Sequence, residues 1–441
     1  MSEFATNIFG ADPSVHVFNG RAYAYVSYDE PYTNIYDSMV CYHALSSDDL
    51  VHWVDHGRIL HLSQVDWAIS HMWAIDANYW KGKYYLTFCA IEKTTSTFRT
   101  GLAVSDRPEG PFTDLGWIKG AEWGQDPAFY VEGDGDSDDS RAYLLWGGRG
   151  AITIAQFNDD LLSVKPETVT NLSEQLNGYE GPFLHKKDDT YYLTYPALDG
   201  EEWPQRMSWA TSKSIFGPYT YGGIYIDVYP GNSGTIHGSV VQFKDKWYAF
   251  YHSGLISGTD TSRTLMVDEL HYNPDGSIQP ITPKLAGVPA GNTVVILDAA
   301  AVDCSGGRLH MTRVATDDSD YTGAGYVTGL VQQEWGLSFL AQVGKPRRYA
   351  VVVRYRSTGN FYGRVMAAKH LFYDGKQNQT YEDYINRGTL FTSTDGKWRE
   401  LEVGQLDIAS GDHEVRISNS HNLPAGQHGI DVDYLKLVPL N

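Results

Sequence analysis

The sequence predicts an all-β chain, and three observations lead to that prediction. Helical periodicity is nearly absent, while short runs rich in Val, Ile, Tyr, Phe and Trp alternate with Gly, Asp, Asn and Pro turns along most of the 441 residues. One pattern then recurs five times between Asp12 and His252: a polar residue, an apolar run, a turn and a tyrosine-rich run. A second recurring element, a turn with a short extended run, follows each copy. Two hairpins per repeat make a four-stranded blade, and blades packed radially leave only short, protected edges.

The copies open at Asp12 (ADPSVHVFNGRAYAYVSY), Asp76 (IDANYWKGKYYLTF), Asp126 (QDPAFYVEGDGDSDDSRAYLLW), Glu180 (YEGPFLHKKDDTYYLTY) and His237 (IHGSVVQFKDKWYAFYH). Their spacings of 64, 50, 54 and 57 residues suit four short strands and are too irregular for a solenoid. Residues 1–285 therefore read as a five-bladed β-propeller. The segments SSDDLVHWVDHGRIL, VSDRPEGPFTDLGWI, FNDDLLSVKPETV, TSKSIFGPYTYGGI and YNPDGSIQPIT read as its outer strands. The pattern stops near Lys284, where KLAGVPAGN is small and turn-rich, so 286–294 read as a linker. From residue 295 to 441, runs such as RRYAVVVRYR and IDVDYLKLVPL lack the polar opening and suit an antiparallel β-sandwich.

Composition narrows the partners. With 34 basic against 54 acidic residues the net charge is −20, which argues against a nucleic-acid backbone or an anionic membrane surface. A neutral ligand such as a sugar fits better, and 31 Tyr and 12 Trp supply rings that stack on sugar faces, although strands favour such residues anyway. The three cysteines, Cys41, Cys89 and Cys304, are far apart and have neither disulfide-framework nor zinc spacing. No run approaches the ~18 apolar residues of a membrane span, and the N-terminal text lacks a signal peptide's pattern. Secretion is expected where a leader has been removed, a cytoplasmic location otherwise. The acidic run Glu132 to Asp139 alternates like a calcium loop but has Asp139 and Leu145 where an EF-hand needs Gly and Glu, so it reads as a solvated turn.

Closing the ring would gather four carboxylates and an imidazole at one funnel mouth. Such crowding is costly unless some members are protonated or paired, and it pushes pKa values apart, separating an acid from a base. Glycoside cleavage needs that separation.

Asp12 in ADP, Asp126 in QDP and Glu180 in EGP, in the first, third and fourth repeats, resemble the motif set of the inverting glycoside hydrolases of family 43, which are five-bladed propellers. The resemblance spans about residues 5–284, and the ordered set is far more specific than any single Asp-Pro, which alone would read as a turn. It implies that Asp12 is the general base, Glu180 the general acid and Asp126 the residue that orients Glu180 and keeps its pKa high. It further implies that His237 lies on the propeller axis near a bound calcium, directly or through water. Arg263, in SRTLMVDELHY, would pair with a carboxylate or with sugar hydroxyls, and Trp73, in HMWAID, would be an aromatic platform. Asp76 is expected to bind substrate or fix a turn. The fructan and sucrose hydrolases, a rival group, differ around the first Asp-Pro and after the acid, where Glu180 is followed by Gly-Pro. The C-terminal domain resembles the sugar-binding sandwiches of carbohydrate-binding module family 6, from GAGYVTGL through GKWREL to GQHGIDVDYLKL, without their acidic opening.

The expectation is an exo-acting enzyme that removes α-L-arabinofuranosyl side chains from arabinoxylan, a plant cell-wall polysaccharide, or from its oligosaccharides. β-Xylosidase is the alternative, with arabinan or galactan hydrolysis behind it. A non-catalytic carbohydrate-binding protein is the rival from another class, and no obligate protein partner is indicated.

Overall fold

The computed structural model describes residues 3–5, 7–31, 36–200, 202–283, 293–373 and 376–440. The chain divides into two compact units, Met1–Val51 with Leu60–Gly291, and His52–Ile59 with Asn292–Asn441. The segment expected to be a linker falls, apart from Thr293 and Val294, outside the described residues.

In the first unit each repeat builds an antiparallel blade. The inner hairpins of the first two blades are set by two-residue turns: Phe18 pairs with Arg21 across Asn19-Gly20, and Trp80 with Lys83 across Lys81-Gly82. All four turn residues have positive φ, from 48° to 84°, the twist that lets a two-residue turn match the right-handed twist of its strands. Glycine enters such a conformation without the Cβ penalty that Asn19 and Lys81 bear. The second blade contains Ile75–Trp80, Lys83–Glu92, Phe98–Ser105 and Thr113–Glu122; the fourth contains Phe183–Lys187, Thr190–Asp199, Glu202–Ser212 and Thr220–Ile226. Apolar clusters fill the spaces between neighbouring blades. Ala128, Leu145 and Ile154 of the third blade, for example, pack with Leu184 and Leu193 of the fourth. Each fully buried large side chain there contributes ~1.5–3 kcal/mol.

Two outer strands differ from expectation. In the third blade the predicted segment forms a 3₁₀ turn, Pro166–Thr168, and the outer strand is only Thr170–Asn171. In the fifth blade YNPDGSIQPIT forms isolated bridges only, Tyr272 to Ile278 and Ile226 to Ile281. The fourth strand there is Glu3–Ala5 from the start of the chain, pairing with Thr264–Leu270. A strand borrowed from the other end closes the ring and satisfies an edge that would otherwise be open.

The second unit is a sandwich of two sheets over one core that includes Val295, Val327, Phe339, Val351, Val415 and Leu437. Arg347–Arg356 shows the pleat: Tyr349, Val351, Val353 and Tyr355 join the core while Arg354 and Arg356 alternate with them. The strand Val54–His61, read from sequence as part of the propeller, lends its first residues to this unit. Val54 and Asp55 pair in parallel with Val294 and Val295, which satisfies their edge groups. Outside the core, the Arg356 guanidinium lies over the rings of Tyr326 (4.6 Å) and Trp398 (4.8 Å) and bonds Asp431 at 2.9 Å. These two rings are engaged by the protein's own cation.

Removing the first six residues is expected to lower the melting temperature by roughly 2–8 °C, as loss of one or two kcal/mol would in a domain of this size. An unchanged melting curve would show that the fifth blade does not depend on its borrowed strand.

Candidate active site

The funnel is built where inner strands begin. Asp12 stands at a bulge in Gly10–Phe18, where the register with Arg21–Tyr28 shifts between Ala11 and Ser14, and its φ is 52°. Asp126 repeats the geometry with φ 46°. A left-handed conformation at a non-glycine residue followed by proline is doubly disfavoured, so the surroundings must hold it. At Asp12 the holding group is His252, whose Nδ1 accepts the Asp12 N–H at 2.9 Å while its Nε2 donates to the Thr235 carbonyl. That pairing selects the neutral tautomer. Burial and the nearby Arg263 charge push its pKa down to about 3, which keeps it neutral.

The Asp12 carboxylate accepts from Ser27 Oγ at 2.5 Å. Its other oxygen lies 3.5 Å from His237 Nδ1 and 3.6 Å from Arg263 Nη1. Burial alone would raise its pKa; Arg263, the His237 hydrogen bond and the His237 charge outweigh it and hold the group well below the usual range. Arg263 is itself fixed by Asp29. Its Nε and Nη2 donate to the two Asp29 oxygens at 2.9 and 2.8 Å, and its backbone N–H donates to the same carboxylate at 2.8 Å.

Glu180 has the opposite environment. Two amides face it: Gln125 Nε2 donates to Oε2 at 3.0 Å and Gln205 Nε2 to Oε1 at 2.8 Å. Gln125 also reaches Asp126 Oδ2 at 3.4 Å, so one amide spans both carboxyls. Burial raises Glu180, and burial with the Glu180 charge raises Asp126 further, so this pair keeps a proton above the ordinary carboxylate range. Burial would lower His237, but its bond to Asp12 and the three acids raise it. Gly181, with φ 54°, leaves room for that imidazole; a Cβ there would sit 2.8 Å from His237 Nε2.

Six of the seven residues singled out from sequence, Asp12, Trp73, Asp126, Glu180, His237 and Arg263, line one pocket. Trp73 forms a wall with Phe98, ring centroids 4.7 Å apart, and is anchored by Nε1 donating to the Tyr36 carbonyl at 3.1 Å. Asp76 is the correction. It is 2% exposed, and its carboxylate accepts from Ser14, from His16 Nε2 at 2.6 Å, from its own neighbour Ala77 N–H at 2.8 Å and from Phe129 N–H at 2.6 Å. It joins the first three blades and is absent from the pocket lining. The expected calcium also lacks a side-chain cage. Among the described residues no three carboxylate, imidazole or thiol groups converge as a metal site, whereas calcium takes ~6–8 oxygen ligands. The His237 Nδ1 faces Asp12.

Asp29, His252, Gln125 and Gln205 were not singled out from sequence. None opens a repeat, and no spacing marks them; Gln125, next to Asp126, and His252, at the end of the fifth copy, stood within motifs already noted.

A five-bladed ring whose funnel holds one ionised carboxylate opposite a protonated carboxyl pair has the architecture of a glycoside hydrolase. The chain belongs to the glycosyl hydrolases family 43, whose model matches residues 5–278. It is 34% identical over 342 residues to Xylosidase/arabinosidase 43A of Humicola insolens, an alignment covering 64% of this chain and 100% of that protein. Among solved structures, a β-xylosidase/α-arabinofuranosidase from a compost microbial metagenome, in complex with xylotriose in a calcium-free form, is 32% identical with a TM-score of 0.57. That match covers 65% of this chain and 98% of the other. An arabinoxylan arabinofuranohydrolase from Bacillus subtilis shares the fold across 99% of this chain and 97% of its own, with a TM-score of 0.58 at 23% identity.

Asp76→Ala is expected to destabilise the protein by about 2–4 kcal/mol in denaturant unfolding, because buried donors on two blades lose their acceptor. Folded variant at low temperature should hydrolyse substrate at close to the parental rate. Loss of activity at unchanged stability would return Asp76 to the substrate site.

Proposed function

We propose that the protein is an inverting exo-glycosidase that releases α-L-arabinofuranosyl side chains from arabinoxylan or its oligosaccharides. The supporting observation is the division of protonation states in one pocket: Asp12 held ionised by Arg263 and His237, while burial raises Glu180 and burial with the Glu180 charge raises Asp126, so that the pair holds a proton. In this reading Glu180 gives its proton to the glycosidic oxygen as the bond to the sugar breaks. Water attacks from the opposite face and its proton passes to Asp12. Asp126 keeps Glu180 protonated until the leaving oxygen needs the proton. The cavity of about 220 Å³, walled by Trp73 and Phe98, is below the ~300–1,000 Å³ typical of pockets for larger ligands, which favours one terminal sugar. The pairing of this pocket with a second, sandwich domain favours a decorated polysaccharide.

Release of terminal β-D-xylose is the second reading, favoured by the double name of the Humicola relative and by the xylotriose bound to the compost-metagenome neighbour. A panel of arabinoxylan, arabinan, xylobiose and nitrophenyl sugars decides between them: arabinose from arabinoxylan without xylose from xylobiose is expected. Proton NMR of the first product should show inverted configuration, and retention would exclude the mechanism.

Asp12→Asn and Glu180→Gln should each lower kcat/KM on a poor-leaving-group substrate by about 10²–10⁴-fold. Full activity in both would overturn the roles. The pH profile of kcat/KM should have an acid limb below the ordinary Asp value of ~3.9, because Asp12 must be deprotonated and its pKa is depressed. The alkaline limb should lie above the ordinary Glu value of ~4.3, because the raised pair must keep its proton. Limbs at the ordinary values would contradict the division of states.

A further inference from the structure

One polar atom beside the pocket has no partner. Gln205 is 1% exposed; its Nε2 donates to Glu180 Oε1, and its own Oε1 is buried without a hydrogen bond. The residue is fixed from behind, since it lies in the strand Glu202–Ser212 and its backbone N–H donates to the Gly234 carbonyl at 2.9 Å. A buried carbonyl left unpaired is costly, and no hydrogen bond on that side fixes which end of the amide faces Glu180. Its two ends have nearly the same shape, so a half-turn of the amide exchanges donor for acceptor at the same place.

Which end belongs against Glu180 depends on what Glu180 presents. A carboxylate only accepts, and an amide N–H suits it. A carboxylic acid has a proton to donate, and an amide oxygen suits that. We propose that Gln205 is a proton-state-dependent positioning residue, presenting its carbonyl to the Glu180 acid before proton transfer and its N–H to the Glu180 carboxylate afterwards.

Gln125 lacks this freedom. Its Nε2 serves two acceptors, Glu180 at 3.0 Å and Asp126 at 3.4 Å, and its Oε1 end is packed on Gly148, where a Cβ would lie only 2.5 Å away. It holds one side of the Glu180 carboxyl while Gln205 answers to the proton on the other. The remaining charged groups around Glu180 are Asp126, Asp12 and His237, with Arg149 on the pocket wall. None of them offers an amide's choice of donor or acceptor.

The step balances as follows. The Glu180 proton moves to the glycosidic oxygen, the carbon–oxygen bond breaks with its electron pair on that oxygen, and the departing alcohol keeps the proton. Water supplies hydroxyl to the sugar carbon and a proton to Asp12. Glu180 is left as a carboxylate, to which Gln205 turns its N–H. Stabilising the carboxylate as it forms assists the proton transfer itself, so the benefit falls on substrates that need protonation.

The proposal rests on Glu180 being the general acid, and the test separates the two. Full-length Q205M, which keeps length and loses both polar ends, and Q205E, which keeps shape and exchanges the amide for a carboxyl, are assayed against phenyl and 2,4-dinitrophenyl pentosides of the preferred sugar. The dinitrophenolate leaves without a proton; the phenolate does not. Both variants are expected to lose about 10–100-fold in kcat/KM on the phenyl glycoside, the weight of one hydrogen bond to a charged group. On the dinitrophenyl glycoside the loss should be smaller by a factor above ~3. Losses that agree within that factor, or no loss on either substrate, overturn the proposal. If Q205M fails to fold, the same ratio in Q205E decides. E180Q, run in parallel, should show the same preference at ~10²–10⁴-fold. If E180Q shows the preference and both Gln205 variants do not, the Gln205 role alone is wrong; if E180Q does not, the acid assignment itself has failed.

Discussion

Three carboxyl groups from three blades are buried in one pocket, and mutual repulsion prevents all of them from being ionised there. The structure meets this constraint by giving each end of the pocket a different kind of neighbour. Around Asp12 stand cations and a fixed donor: Arg263, His237 and Ser27. Around Glu180 stand neutral amides, Gln125 and Gln205. A cation lowers a carboxyl's pKa through space, whereas an amide orients the group with a weaker bias on its proton. One acid is therefore committed to the ionised form, and the Asp126/Glu180 pair retains a proton that can be given away.

Maintaining that asymmetry demands rigidity behind the pocket. Arg263 could neutralise Asp12 by direct pairing, which would consume the base; instead its fork is occupied by Asp29, leaving it 3.6 Å from Asp12. His252 performs the analogous service for the backbone. By staying neutral it can accept the Asp12 N–H and hold a left-handed residue before proline, without adding a further cation beside the carboxylate. The strained turns at Asp12 and Asp126 are thus part of how the side chains are aimed into the funnel, and their cost is offset by contacts that strand propensity alone would never require.

Much of this was legible in the sequence because a propeller writes its geometry as a period. The first inner strand of each blade starts at an equivalent place, so residues that open the repeats share a mouth, and Asp12, Asp126, Glu180 and His237 could be gathered without coordinates. What supports them was not legible. Asp29 follows the second strand of the first blade, His252 lies within the second strand of the fifth and Gln205 within the third strand of the fourth. Those positions have no recurring mark, and their role depends on contacts between blades or between strands of one blade, from the 25 residues between Glu180 and Gln205 to the 240 between Asp12 and His252. The outer strands were misread for a related reason: the partner of Thr264–Leu270 comes from the opposite end of the chain, beyond the reach of any local pattern.

Asp76 shows where periodicity stops being informative. It opens its repeat like the others and is as buried as Asp126, yet four donors converge on it, three at Oδ1 and one at Oδ2, and it does not line the pocket. The difference lies in the neighbours, not in the register. Ser14 and His16 on the first blade and the Phe129 N–H on the third point donors at Asp76, and a carboxylate saturated with donors remains a structural tie. At Asp126 the neighbours are another carboxyl and a single shared amide, so repulsion is left unresolved and a proton is retained. In a ring of equivalent positions, then, the count and charge of donors supplied by the adjacent blades decide which acid joins blades and which acts on a bond. A buried acid that the fold satisfies completely is inert; one that it satisfies incompletely is available for chemistry.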